Sequence, residues 1–229
     1  MTQVPPIEEA FDTLVTANAN KAVERIMLTQ LLQQCSALHA QLLTWCEYLR
    51  EQVHGSLYRS ALSVAHSPAD LPNGRIFPLA FHFPNLSIAQ QLLLYWSTLI
   101  VLYRTIQDID KIFRSNKTEG VVVGSESHFK DNASRSDLRF DHNCPSNATI
   151  TALANKICQS FEYCYHSTNG TLGVQSTIIP RWVARDFYAA HPEYERELAW
   201  CEEVDNMTAP DSRFDLQVMK FGNCSEFTV

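Results

Sequence analysis

Asn85–Phe113, NLSIAQQLLLYWSTLIVLYRTIQDIDKIF, is the longest apolar segment of the chain, and its reading decides the fold. Ile88, Leu92, Tyr95, Leu99, Leu102, Ile106, Ile109 and Phe113 recur at alternating spacings of four and three, one stripe of an α-helix. Leu93, Trp96, Ile100 and Tyr103 add a second stripe, so from Leu92 to Tyr103 the helix is apolar on nearly every side. Such a helix is normally the central member of a bundle. Ser87 with Gln90 three residues on has the form of a capping box at its start. A membrane span is the alternative, because Leu86–Tyr103 is uncharged over about the length a bilayer requires. Gln90, Gln91, Ser97 and Thr98 interrupt that run, the stripe continues into charged sequence, and no positive cluster flanks it. The sequence therefore predicts a soluble core helix.

Upstream, His54–Pro84 breaks the periodicity with Gly55, Pro68, Pro72, Asn73-Gly74, Pro78 and Pro84, and reads as a long connection with one helical turn near Leu57–Val64. Its end, IFPLAFHFPN, is aromatic enough to pack across a bundle. Lys21–Val53 contains neither Pro nor Gly, and Leu28, Leu31, Cys35, Leu38, Leu42, Trp45 and Leu49 form a heptad stripe. That stripe fits an antiparallel helix of the same bundle better than a dimeric coiled coil, since it is short and flanked by globular sequence. Residues 1–20 read as a flexible lead-in.

Downstream, the apolar pattern collapses over 114–146, the region predicted to be a disordered insert. A helix then starts at Asn147 or Thr149, with Ile150, Leu153, Ile157, Phe161 and Cys164 on one face. Asn169-Gly170 supplies a helix stop. QSTIIPRWVARDFYAA predicts a short helix with Pro180 in its first turn and Ile179, Val183 and Phe187 inward. After His191-Pro192 comes a last helix with Glu193, Glu195 and Glu197 at its positive end and Trp200, Val204 and Met207 on its inner face. Residues 208–229 form a tail in which FDLQVMKF has helical character. The expected fold is all-α: an irregular multi-helix bundle around one long apolar helix, with the domain spanning 21–207.

The bulk composition narrows the function classes. With 229 residues, 45% hydrophobic and 19% charged, the chain has the make-up of one globular domain with a sizeable core. Seven glycines are too few for a turn-rich β-protein or a phosphate-cradling loop. A net charge of -7 and the lack of a Lys/Arg run argue against binding to a phosphate backbone. MTQVPPIEEAF lacks the basic and apolar segments of a secretory signal. Seven cysteines, several within helical apolar patterns, fit buried thiols in a reduced compartment. Seven Asn-x-Ser/Thr triplets follow from a composition rich in those residues and carry no weight.

No catalytic, cofactor-binding or metal-binding residue is assigned. Paired Cys-x-x-Cys units are absent, and His142 with Cys144 plus Cys164 with His166 is the nearest approach to a zinc ligand set. Residues two apart on a helix diverge by about 200°, so Cys164 and His166 converge only if the helix has ended. There is no Gly-x-Ser-x-Gly elbow; Gly124-Ser125 lies in the predicted insert. Asp108 and Asp110 also diverge around Ile109, a core position, and read as a solvated face. Trp45, Trp96, Trp182 and Trp200 are core candidates, with a Trp-lined interhelical pocket as the alternative.

LHAQLLTWCEYLR, FHFPNLSIAQQLLLYWSTLIVLYR and ANKICQSFEYCY, followed by QSTIIPRWVARDFY and ELAWCEEV, closely resemble the C-terminal helical regulatory region of fungal-specific transcription factors, which usually carry a binuclear zinc cluster at the N-terminus. The likeness covers roughly Gln30–Val204, and the ordered succession is more specific than any one motif. It implies an all-α domain in the nucleus, with the cytoplasm as the alternative, that regulates transcription, often of metabolic gene clusters such as those of secondary metabolism. It implies no catalysis, protein partners drawn from the transcription machinery or from self-association, and room for a small-molecule effector. The six-cysteine cluster and the basic segment after it are absent from this sequence, so this chain is not expected to contact DNA in that family's way. A helical enzyme using Asp108 or Asp110, and a helix-mediated structural homodimer, are the competing readings.

Overall fold

The computed structural model describes residues 21–67, 69–70, 74–118 and 144–204. In chain order these form α1 (Lys21–Gln52), β1 (Arg59–Leu62), β2 (Leu79–His82), α2 (Leu86–Thr118), α3 (Asn147–Gln159) and α4 (Phe161–Tyr165). A 3-10 turn (Ser167–Asn169), α5 (Gly170–Gln175), α6 (Ile178–Ala189), a second 3-10 turn (Pro192–Tyr194) and α7 (Glu195–Glu202) complete them. The fold is mostly helical. The described residues fall into two compact units: those within Met1–Gln41 and Val101–Ile150, and those within Leu42–Ile100 and from Thr151 onward.

In the first unit, Leu28, Leu31, Cys35 and Leu38 of α1 are all buried, as the heptad stripe predicts. From α2 the unit takes Leu102 and Ile109, and from α3 Ile150, each at most 1% exposed. The predicted insert is shorter than its sequence suggests at both ends. α2 continues through Thr118 because charged pairs replace the apolar stripe: Asp110 Oδ2 meets Arg114 at 2.6 Å, one helical turn on. On the other side, Gln107 Nε2 donates to the carbonyl of Pro145 at 2.7 Å. Ser146 caps α3, its Oγ accepting from the amide of Thr149 at 3.2 Å. The rest of the insert, 119–143, lies outside the described residues, as do the lead-in 1–20 and the tail 208–229.

In the second unit, α2 buries Ile88, Leu92, Leu93, Tyr95, Trp96, Leu99 and Ile100. Each large side chain so buried contributes about 2 kcal/mol relative to exposure. The cap of α2 differs from the capping box read at Ser87. Asn85 Oδ1 accepts from the amide of Ile88 at 3.0 Å, so the helix begins earlier, and Ser87 Oγ, already in the first turn, accepts from Gln91 instead. α2 is long and apolar enough over Leu86–Ser115 to cross a membrane by length and composition alone, and 56% of its most apolar window is buried within the protein.

The connection before α2 corrects the predicted helical turn near Leu57–Val64. β1 pairs antiparallel with β2, Arg59 facing His82 and Leu62 facing Leu79. Its four residues are all exposed, so they carry no alternation by which to read a strand. The aromatic end of the connection packs inward as expected: Phe77, Phe81 and Phe83 are buried.

The apolar face from Ile150 to Cys164 stays buried across a break between α3 and α4 at Ser160, whose Oγ turns back to the carbonyl of Lys156 at 2.7 Å. The helix stop expected at Asn169-Gly170 falls earlier: α4 ends at Tyr165, and Gly170, at φ +58°, follows the 3-10 turn and opens α5. α6 buries Pro180, Val183, Ala184, Phe187 and Tyr188. Val183 and Phe187 of the predicted stripe are buried, whereas Ile179, read on the same face, is 62% exposed and Trp182 beside it 63%; Pro180, Ala184 and Tyr188 complete the buried face instead. Trp200 and Val204 are buried as predicted; Met207 lies outside the described residues.

Gly173 is fixed by a close approach. A Cβ there would stand 2.1 Å from the carbonyl oxygen of Cys164 and 2.8 Å from Asn169 Cβ. Backbone cannot yield as a flexible side chain would. Gly173→Ala is expected to lower stability by about 3 kcal/mol, seen as an earlier midpoint in denaturant unfolding. An unchanged midpoint would contradict the packing of α5 on α4.

Candidate functional site

The first unit contains a cavity of about 460 Å³. α1 supplies Ser36 and His39, which flank its buried stripe; α2 supplies Tyr103 and Ile106; Cys144 and Thr149 close the remaining side. His39 Nε2 lies 2.9 Å from the hydroxyl of Tyr103, and the rings meet edge to face with centroids 5.4 Å apart. Burial lowers the pKa of His39 from its ordinary 6.5 and raises that of Tyr103 from 10.0, so both groups favour their uncharged forms. The Cys144 thiol is pushed up from 9.0, by burial first and by the charge of Asp110 second. It is therefore held as a thiol rather than as a nucleophilic thiolate. Among the described residues, no Lys, Arg, Asp or Glu lines the cavity. Such a site can hydrogen-bond an uncharged molecule and pack against it, and its groups are not poised for nucleophilic attack.

The second unit spends its polar groups on the fold. Glu162 of α4 accepts from the amides of Val64 and Ala65 at 3.1 and 3.0 Å and from Ser63 Oγ at 2.7 Å, which ties the segment after β1 to the helix. Asp70 accepts from the amides of Ser67 and Ile76, each at 3.0 Å, and closes the connection on itself. Neither carboxylate stands out in the sequence; the one trace is that Glu162 sits among the apolar residues of Phe161–Tyr165, where a charge needs a partner. Tyr188 donates from its hydroxyl to Asn155 Oδ1 at 2.7 Å, beside the buried thiols of Cys158 and Cys201.

The residues weighed for chemistry do not assemble into one site. Asp108 pairs with Lys111 and Asp110 with Arg114, both at 2.6 Å, and both carboxylates are half-buried at the surface of α2. Cys164 is fully buried, its thiol pushed up to about 12 by burial, whereas His166 is exposed and its Nδ1 meets Thr168 Oγ1 at 2.8 Å. α4 has ended at Tyr165, yet the two side chains still take different environments. His142 and Gly124-Ser125 lie outside the described residues. Among the described residues, no group of three or more His, Cys, Asp or Glu is placed to hold a metal ion.

The four tryptophans do not gather around one pocket. Trp96 stacks among Tyr58, Phe81 and Phe83 with Lys156 Nζ 5.8 Å from its ring centre. Trp200 packs on Phe77 and Phe161, Trp45 lies against Tyr95, and Trp182 faces solvent. Each has its own neighbours; none lines the cavity around His39, and Trp200 lines a small hollow of the second unit with Phe77 and Glu162. Sequence reasoning missed His39 and Tyr103, since a His beside a heptad stripe and a Tyr within one both read as packing.

Compared with protein-family models, curated proteins and solved structures, the chain matches none of them.

The His39 environment sets a sign for pH dependence. With its folded pKa below the unfolded 6.5, the unfolded chain takes up this proton first as the pH falls. The His39 contribution to stability is thus fully present above pH 6.5 and is lost as the pH drops through the folded value. Measured by urea unfolding from pH 7.5 to about 5, the wild type should lose more stability than His39→Gln, which cannot titrate. Parallel curves for the two proteins would show that His39 is not desolvated.

Proposed function

We propose that this chain is a non-catalytic, helical regulatory and interaction domain of the type found in fungal-specific transcription factors, acting in transcription without touching DNA itself. The ordered succession of motifs carries the reading. LHAQLLTWCEYLR lies on α1, FHFPNLSIAQQLLLYWSTLIVLYR runs through β2 into α2, ANKICQSFEYCY forms the end of α3 with α4, and the last two stretches lie largely on α6 and α7. A mostly helical fold is what that family likeness calls for. The protonated thiols and the ion-paired Asp108 and Asp110 favour regulation over the enzyme reading.

Protein partners fit the exposed apolar surface of α6, where Ile179 and Trp182 stand in solvent. The net charge of -7 favours such partners over nucleic acid. The family likeness places this activity in the nucleus, and α2 is read as a core helix rather than a membrane span. A second reading, an effector-binding domain, has its own support in the uncharged cavity around His39 and Tyr103.

The test is to fuse the chain to an unrelated DNA-binding module and follow a reporter gene carrying that module's site. Reporter output should change several-fold relative to the module alone. A reporter indifferent to the fusion, or tight sequence-specific DNA binding by this chain alone in a mobility-shift assay, would overturn the proposal.

A further inference from the structure

Cys158 on α3 and Cys201 on α7 bring their sulfurs to 3.6 Å inside the second unit, across 43 positions of sequence. Both are at most 1% exposed, and both are free thiols. The distance is a van der Waals contact between thiols, longer than a disulfide bond by roughly 1.5 Å, a gap that small side-chain rotations and helix shifts can close. Cys164 is engaged with the Ser176 hydroxyl, and Cys144 lies at the cavity of the first unit. We propose that Cys158 and Cys201 form an oxidisable dithiol whose product, an intramolecular disulfide, fastens α7 to α3. The inference is independent of the regulatory reading of the whole chain.

Two features govern when the bond forms. Burial keeps both sulfurs from oxidant while α7 is docked, with the Tyr188 hydroxyl also beside Cys158. α7 is only eight residues long, and its ion pair to α6, Arg185 with Glu202 at 3.3 Å, is half exposed. Such an exposed pair holds a helix weakly, so brief local opening of α7 is the route by which hydrogen peroxide reaches a thiol.

The oxidant is hydrogen peroxide, and the chemistry balances in two steps. A deprotonated sulfur attacks one peroxide oxygen, the O–O bond breaks, and the departing oxygen leaves as water with the thiol proton. The resulting sulfenic acid is attacked by the second sulfur, the S–O bond breaks, and its hydroxyl leaves as a second water with the second thiol's proton. Two electrons pass from the sulfurs to the peroxide. Re-docking of α7 brings the partners together for the second step, so the crosslink records an opening of α7 and then prevents the next one.

Reduced, full-length protein is treated under native conditions with hydrogen peroxide, then denatured, alkylated and digested without reductant for mass spectrometry. The expected product is a peptide pair joining Cys158 to Cys201, two hydrogens lighter than its separate parts and split by dithiothreitol. Hydrogen exchange at α7 should slow and the melting temperature should rise by several degrees on oxidation, and neither should change for Cys201→Ala or Cys158→Ala. Two alanine variants are used so that a folding defect in one, detected by circular dichroism, leaves the other as control. Recovery of both cysteines as alkylated peptides would overturn the proposal, as would linkage of either to a different cysteine or a crosslink that leaves α7 exchange unchanged.

Discussion

Between Leu92 and Leu102, α2 buries Leu92, Leu93, Tyr95, Trp96, Leu99, Ile100 and Leu102, each 6% exposed or less. These side chains cover about half of the helix circumference, and Leu94 on the opposite side, which the sequence reading also placed inside, is 41% exposed. At about 2 kcal/mol per large buried side chain, leaving this stretch in water would cost more than the whole net stability of an ordinary domain. The remaining elements must therefore supply cover. The polar side chains along α2 do not oppose this burial, because they satisfy themselves. Ser97, Thr98 and Thr105 each donate to the carbonyl one turn back, at 2.7, 2.8 and 3.1 Å.

Within the second unit, cover comes partly from the irregular chain before α2. Trp96 collects Tyr58, Phe81 and Phe83, so the residue before β1, β2 and the residue after it are held by one ring on the core helix. A two-stranded ribbon is marginal by itself in water. Here it is secured by that aromatic cluster and by Glu162, which supplies a charged acceptor to two backbone amides and one hydroxyl that would otherwise lack regular partners. The first unit instead keeps an open, uncharged hollow beside His39 and Tyr103.

The features legible in the sequence were those written in local periodicity. The stripe of α1, both stripes of α2, the face from Ile150 to Cys164 and Pro180 near the start of α6 follow from spacing and backbone chemistry alone. What escaped depends on partners distant in sequence. β1 exists because of β2, some twenty residues on, and its exposed RSAL segment carries no signal by itself. Glu162 looks like helix dressing until the segment at Ser63–Ala65 lies beside it. The exposure of Ile179 and Trp182 was hidden because both are apolar residues next to the face that Val183 and Phe187 bury. The candidate cavity was illegible for the same reason: His39 and Tyr103 are 64 positions apart, and neither belongs to a motif. Regulatory function was suggested by an ordered likeness rather than by any group of reactive side chains.

If the middle of α2 is the core on which the fold rests, native-state hydrogen exchange will find its amides among the last to exchange. Those of Leu92–Leu102 should open only with global unfolding, and the exposed strand β1 should exchange faster by orders of magnitude. Exchange along Leu92–Leu102 as fast as that of β1 would mean that α2 does not hold the core, and would contradict the account.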